Sequence, residues 1–217
     1  SKDTSCKITF ELTNPTDPTA TASPSVSVEA ALTDGTSRSI GSIAKAEMAK
    51  PGGSKYGIGN GEHPLRVVKP TFTKKEIEQS TPVANATNSI TVTLEADIDL
   101  LPGTTVTISG IAGSATEDDQ TLVVTTCNQH TLGKLGSWTQ YTGDLVLTVA
   151  SKLAKDTSCS IKFELKNPTT TQTASPSVSV KASMRDGTST SIGTIAMDQM
   201  TKPGNDTYGI TDGGHPL

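Results

Sequence analysis

Aromatic side chains are scarce: three Phe, three Tyr and one Trp make up 3% of the 217 residues. Any core must therefore be assembled from Val, Ile, Leu and Ala, and a sugar-stacking face has few rings to draw on. Basic excess is missing too. The 18 Lys+Arg stand against 22 Asp+Glu for a net charge of -4, without the basic stripe of a nucleic-acid binder. No run of about 18 apolar residues occurs, so nothing in this segment reads as a membrane span. A starting Met and a secretory apolar region are lacking, so any targeting signal was removed or lies outside this piece. The three Cys show no CxxC spacing for a metal or redox site. Neither a GxSxG elbow, nor a GxxxxGK[ST] phosphate loop, nor an isolated carboxylate pair is found. The expectation is a protein that is not an enzyme and holds no cofactor or metal.

What is abundant is Ser and Thr, roughly 59 residues together, far from ordinary soluble-domain usage. Thr and Val suit a pleated, half-buried surface, whereas good helix formers cluster only in places such as Ile43 to Lys50. The chain also repeats itself. KDTSCKITFELTNPT (2–16) returns as KDTSCSIKFELKNPT (155–169), ASPSVSVEA as ASPSVSVKA, LTDGTSRSIGSIA as MRDGTSTSIGTIA, and KPGGSKYGIGNGEHPL as KPGNDTYGITDGGHPL. One residue is deleted in the Thr-rich loop. Residues 1–65 thus repeat 154–217, and the period of about 152 residues suits one domain. The organisation expected is the C-terminal part of one unit, 1–65, followed by a complete unit, 66–217. The front half of the first unit must then come from upstream chain or from a neighbouring molecule.

Within the complete unit, NSITVTLEADIDL places Ile90, Val92, Leu94, Ala96 and Ile98 on one face of a strand. Leu101-Pro102-Gly103 then predicts a hairpin into TTVTISG. Further strands are predicted over 121–127, 137–141, 144–150, 158–165, 177–184 and 189–195. Asp34-Gly35 and Asp186-Gly187 supply tight turns. The stretches IAKAEMAKP and IAMDQMTKP predict short helices ended by Pro51 and Pro203. Seven to nine short strands with frequent turns indicate an all-β, antiparallel immunoglobulin-like β-sandwich in tandem repeats, with a closed barrel as the runner-up. Trp138 is expected between the sheets.

The segments TNSITVTLEADIDLLPGTTVTISGIAG, GDLVLTVAS, CSIKFELKNP and ASPSVSV together resemble immunoglobulin-like tandem repeats of very large extracellular and surface proteins of unicellular algae and related protists. The resemblance covers the whole unit. It implies an extracellular, array-forming, structural role and carries over no catalytic residue.

Cys159 is in phase with inward Ile161, Phe163 and Leu165, and Cys127 ends a strand in phase with Val123. A Cys127–Cys159 disulfide would contribute about 3 to 4 kcal/mol in the chain-entropy model, and Cys6, the copy of Cys159, would pair with a missing upstream Cys. Buried free thiols in a cytosolic protein are the alternative. Two sequons, at Asn85 and Asn205, agree with a secretory route. The loops holding Thr16, Thr19 and Thr21, and Thr169, Thr170, Thr171 and Thr173, have the composition of O-glycosylated segments and equally of plain surface loops. His63 and His215 occupy the same place at the unit's end, so His63, Pro64, Leu65, Val67, Val68, His215, Pro216 and Leu217 mark an inter-domain junction. That junction is expected to be buried. Glu117-Asp118-Asp119 lacks the alternating spacing of a calcium loop and reads as solvated.

The leading expectation is a structural extracellular fibre or cell-surface stalk whose partner is itself, through neighbouring repeats or chains. The alternatives are an adhesion or glycan-binding module on an array, and a polymer whose open half unit is completed by strand addition from another molecule.

Overall fold

The structure, a computed structural model, describes residues 5, 7–15, 23–129, 131–172 and 175–216. Cys6, Thr16, Thr19, Thr21, His130, Thr173 and Leu217 lie outside the described residues. The chain divides into two compact units, Ser1–Lys69 and Pro70–Leu217.

The first unit contains one antiparallel pair, β1 (Ser27–Thr33) and β2 (Ser39–Glu47). Its connection is closed by Asp34, whose amide donates to Arg38 O at 3.1 Å.

The second unit is all-β, with antiparallel ladders throughout. Its strands are β3 (Phe72–Gln79), β4 (Thr87–Ala96), β5 (Thr105–Ser109), β6 (Asp119–Thr126), β7 (Leu135–Thr139), β8 (Asp144–Thr148), β9 (Cys159–Lys166), β10 (Ser179–Arg185) and β11 (Ser191–Gln199). They lie in the order β11-β10-β5-β8-β7-β6-β9-β4-β3. Strand β6 serves two ladders. Its first part, Asp119–Val123, pairs with β7, and its last part, Val124–Thr126, pairs with β9. Just past β11, Thr201 forms an isolated parallel bridge to β3: Ile77 N donates to Thr201 O at 3.0 Å and Thr201 N to Lys75 O at 2.8 Å.

Alternation builds the core. In β4, Ile90, Val92, Leu94 and Ala96 are buried while Thr91, Thr93 and Glu95 are only partly covered, and β9 alternates likewise through Cys159, Ile161, Phe163 and Leu165. Trp138 is fully buried and donates its indole N–H to Thr116 O at 3.1 Å. With aromatics this scarce, Phe163 and Trp138 are the two largest wholly buried side chains.

Four expectations are corrected. The stretches expected as helices, from Ile43 and from Ile195, form the ends of β2 and β11, because Ser27↔Glu47, Val28↔Ala46 and Ala30↔Ile43 pair across a ladder. Cross-strand pairing overrides the weak helix preference of Ala, Lys, Glu and Met. Leu101-Pro102-Gly103 is not a hairpin turn: β4 pairs with β3 and β9, whereas β5 pairs with β10 and β8, so the chain changes ladders there. Val123 is exposed, and Leu122, Val124 and Thr126 face inward. Cys127 reaches the core from a 3-10 turn, Cys127–Gln129, where strand phase ends. Finally, β3 goes unpredicted because Lys74, Lys75, Glu76 and Glu78 hide its alternation.

Candidate functional site

Matching positions of the repeat are buried in one unit and exposed in the other. In the second unit β9 lies between β4 and β6, with Ile161 opposite Val92 and Thr126, and Phe163 opposite Ile90 and Val124. Ile161, Phe163 and Leu165 are 0–2% exposed. Their copies Ile8, Phe10 and Leu12 are 82%, 74% and 63% exposed, in a stretch without strand pairing. Val180 is wholly buried beside β5, and its copy Val28 is 56% exposed. Ile43 and Met48 are exposed as well, whereas Ile195 and Met200 are buried. The first unit therefore exposes apolar side chains whose position-by-position counterparts are core.

A polar counterpart follows the same rule. Asn167, in the FELxNP segment, is buried and donates to Thr81 O and Val83 O, each at 2.9 Å. Its Oδ1 accepts from Asn88 Nδ2 at 2.7 Å, and Asn88 also donates to Gln79 Oε1 at 2.7 Å. Buried amides need such complete pairing. The copy of Asn167, Asn14, is exposed.

Contacts internal to the repeated half form in both units. Ser175 Oγ donates to Pro216 O at 2.9 Å, and Ser23 Oγ donates to Pro64 O in the copy. Lys202 Nζ donates to Ser175 Oγ and to Pro176 O, and partial burial pushes its ammonium below the usual lysine range. Lys50 Nζ reaches Ser23 O at 3.2 Å. Tyr56-Gly57 and Tyr208-Gly209 both hold positive φ at two consecutive residues in the reciprocal turns Lys55↔Ile58 and Thr207↔Ile210. A Cβ on Gly61 or Gly213 would stand 2.8–2.9 Å from a turn carbonyl, which explains glycine at both places.

The junction residues sit after these turns. His63 and Val67 are half-buried, and Pro64, Leu65 and Val68 are exposed. Pro216 is buried. His215 Nε2 is buried without a hydrogen bond, 3.8 Å from Asp212 Oδ1, and Asn60 replaces that Asp beside His63. His215 edges an open recess of about 420 Å³ that Gln79, Asn167, Thr170, Thr171 and Asp212 also line.

Cys127 and Cys159 are joined by a disulfide, with Cα atoms 5.2 Å apart. Asn85 and Asn205 are exposed, as are Thr169, Thr170 and Thr171. Asp118 and Asp119 are engaged by the backbone: Asp118 Oδ1 accepts from Gln140 N at 2.7 Å, and Asp119 Oδ1 from Thr121 N at 2.8 Å. Among the described residues no group of three or more His, Cys, Asp or Glu is placed to hold a metal, and no helix is long and apolar enough to cross a membrane.

The missed feature is the Asn88–Asn167 pair. Its signal was in the strand pattern: Asn88 occupies an inward position two residues before Ile90, where a polar residue requires partners.

No family model and no curated protein matches the chain. Among solved structures, one similar chain is that of AvmM, which catalyses macrocyclisation in alchivemycin A biosynthesis. It is 8% identical, over 58% of this chain and 85% of that one, with a TM-score of 0.33, a likeness too slight to carry any argument.

Proposed function

We propose that this chain is a non-catalytic structural segment of an extracellular fibre or cell-surface stalk, built from tandem immunoglobulin-like sandwich units. One observation carries the reading: the complete unit starts and finishes at opposite ends of β3. Thr71, just ahead of β3, pairs with Asp97, whereas Gly214 O, near the unit's finish, accepts from Gln79 N at 2.8 Å. Phe72 to Gln79 spans roughly 23 Å at about 3.3 Å per residue. A repeat with separated ends extends a string with each added copy.

The division of β6 between two ladders is what a two-layered sandwich would use to pass a strand from one sheet to the other. The Cys127–Cys159 disulfide fits an oxidising compartment, and the exposed Asn85 and Asn205 sequons fit a glycosylated surface.

The test is small-angle scattering on chains carrying one, two and three units. The expected result is a maximum dimension that grows by a constant increment per unit. A dimension that saturates would overturn the fibre reading.

The polar recess beside His215 favours a second reading, a glycan-binding module on the same array. A glycan-array screen with binding competed by free sugar, and lost in Gln79→Ala and Asp212→Ala chains, would raise it above the first.

A further inference from the structure

We infer that the exposed face of the first unit is a docking surface for one occupant: a further front half of the sequence type of residues 70–153, joined ahead of Ser1. The second unit supplies the template. There, residues 155–216 are closed by residues 70–153 through specific registers, and the copy at 7–65 retains the groups those registers need.

By that template, a strand of the TVTIS type joins the free side of β1 antiparallel. Ser179↔Ser109, Val180↔Ile108 and Ala182↔Val106 translate to Ser27, Val28 and Ala30. Ile8 and Phe10 fall between strands of the β4 and β6 types, as Ile161 and Phe163 do. Asn14 takes the place of Asn167 and receives two loop carbonyls and an inward Asn. Apolar, hydrogen-bonding and register requirements thus coincide on one segment.

Between two copies of these 217 residues alone the count does not close, since each such segment holds two back halves and one front half. Any exchange that covers Ile8, Phe10 and Val28 of one molecule uncovers Ile161, Phe163 and Val180 of another. The proposal stands apart from the fibre reading, since it is decided inside one unit and the fibre reading is decided by particle length.

The experiment compares the 217-residue chain with a chain carrying an additional copy of residues 66–153 directly ahead of Ser1, by hydrogen–deuterium exchange and non-reducing peptide mapping. In the extended chain, amides of 8–12 and 28–31 should exchange about 100-fold more slowly, approaching those of 161–165 and 180–183. Cys6 should be linked to the added copy of Cys127. The outcome that overturns the proposal is fast exchange at 8–12 while 161–165 remains protected in the same molecule. Concentration-dependent protection of 8–12 in the unextended chain would overturn it too, by making a second copy the occupant. As a further variant, Phe10→Asp in the extended chain should abolish protection at 8–12 and spare 161–165; protection that survives Phe10→Asp counts against the proposal.

Discussion

Residues 7–65 and 160–216 are nearly the same sequence in two surroundings, and they divide cleanly in what they share. Both halves form the same strand pair with the same irregular register, Val28↔Ala46 and Ala30↔Ile43 in one, Val180↔Asp198 and Ala182↔Ile195 in the other. Both close the strand connection with an Asp that accepts from a Thr two residues on. Among the described residues they part at groups whose partners lie in residues 70–153. Ile8, Phe10 and Leu12 are exposed where Ile161, Phe163 and Leu165 are core, and the stretch around Phe10 is not a strand at all. The lesson is that turns and hairpins belong to the local chain, whereas a central strand exists only once neighbours complete its ladders.

Truncation at equivalent positions tests this division most severely. Phe163→Ala should destabilise the second unit by about 3 to 5 kcal/mol in denaturant unfolding, while Phe10→Ala should change it by less than about 0.5 kcal/mol. Equal effects would mean that Phe10 is buried in solution. Next in size, replacing Cys127 and Cys159 by Ser should cost about 3 to 4 kcal/mol in the chain-entropy account of a bridge between residues 32 apart. Calorimetry of the two chains measures it, and an unchanged melting temperature would remove the disulfide from the stabilising set.

Asn167→Ala should cost about 1 to 3 kcal/mol, because one N–H of the buried Asn88 amide loses its acceptor. Asn14→Ala should cost nothing measurable. A similar loss from both would show that Asn14 already has partners.

The smallest effects concern protons, and the two turn aspartates should behave alike. Hydroxyl and then amide donation from Thr36 holds the Asp34 carboxyl below 3.8, and Thr188 does the same for Asp186. Carboxyl-carbon NMR titration should place both below 3.8; an ordinary value for Asp34 alone would break the claim that the turn is local. Asp198 differs, because its lowering comes first from its hydrogen bond with Lys75 of β3, at 2.9 Å. Its folded value lies below its unfolded one, so its contribution is complete above about 3.8 and disappears as pH falls through the folded value. Asp198→Asn should flatten that acid-side dependence, read from melting temperatures between pH 2 and 5.

Legibility followed the range of the interactions. The alternation in β4 and β9 was plain, and the repeat located Cys6, His63 and His215 as copies or junction markers. Strand β3 was not legible, because Lys74, Lys75, Glu76 and Glu78 mask Phe72 and Ile77. The β2 and β11 ends read as helix because Ala, Lys, Glu and Met favour it locally. The ladder change at Leu101-Pro102-Gly103 leaves no local mark that separates it from a hairpin turn.

By itself, the sequence determined the all-β character, the repeat and its register, the inward faces of β4 and β9, and the turns at Asp34 and Asp186. Each rests on residues a few positions apart, whose geometry is set by backbone sterics and side-chain alternation. Tertiary structure alone decided that β4 and β5 part into different ladders, that Asn88 pairs with Asn167, and that Phe163 is core while Phe10 is exposed. Burial depends on which distant surface arrives, and two similar sequences differ when only one of them is met.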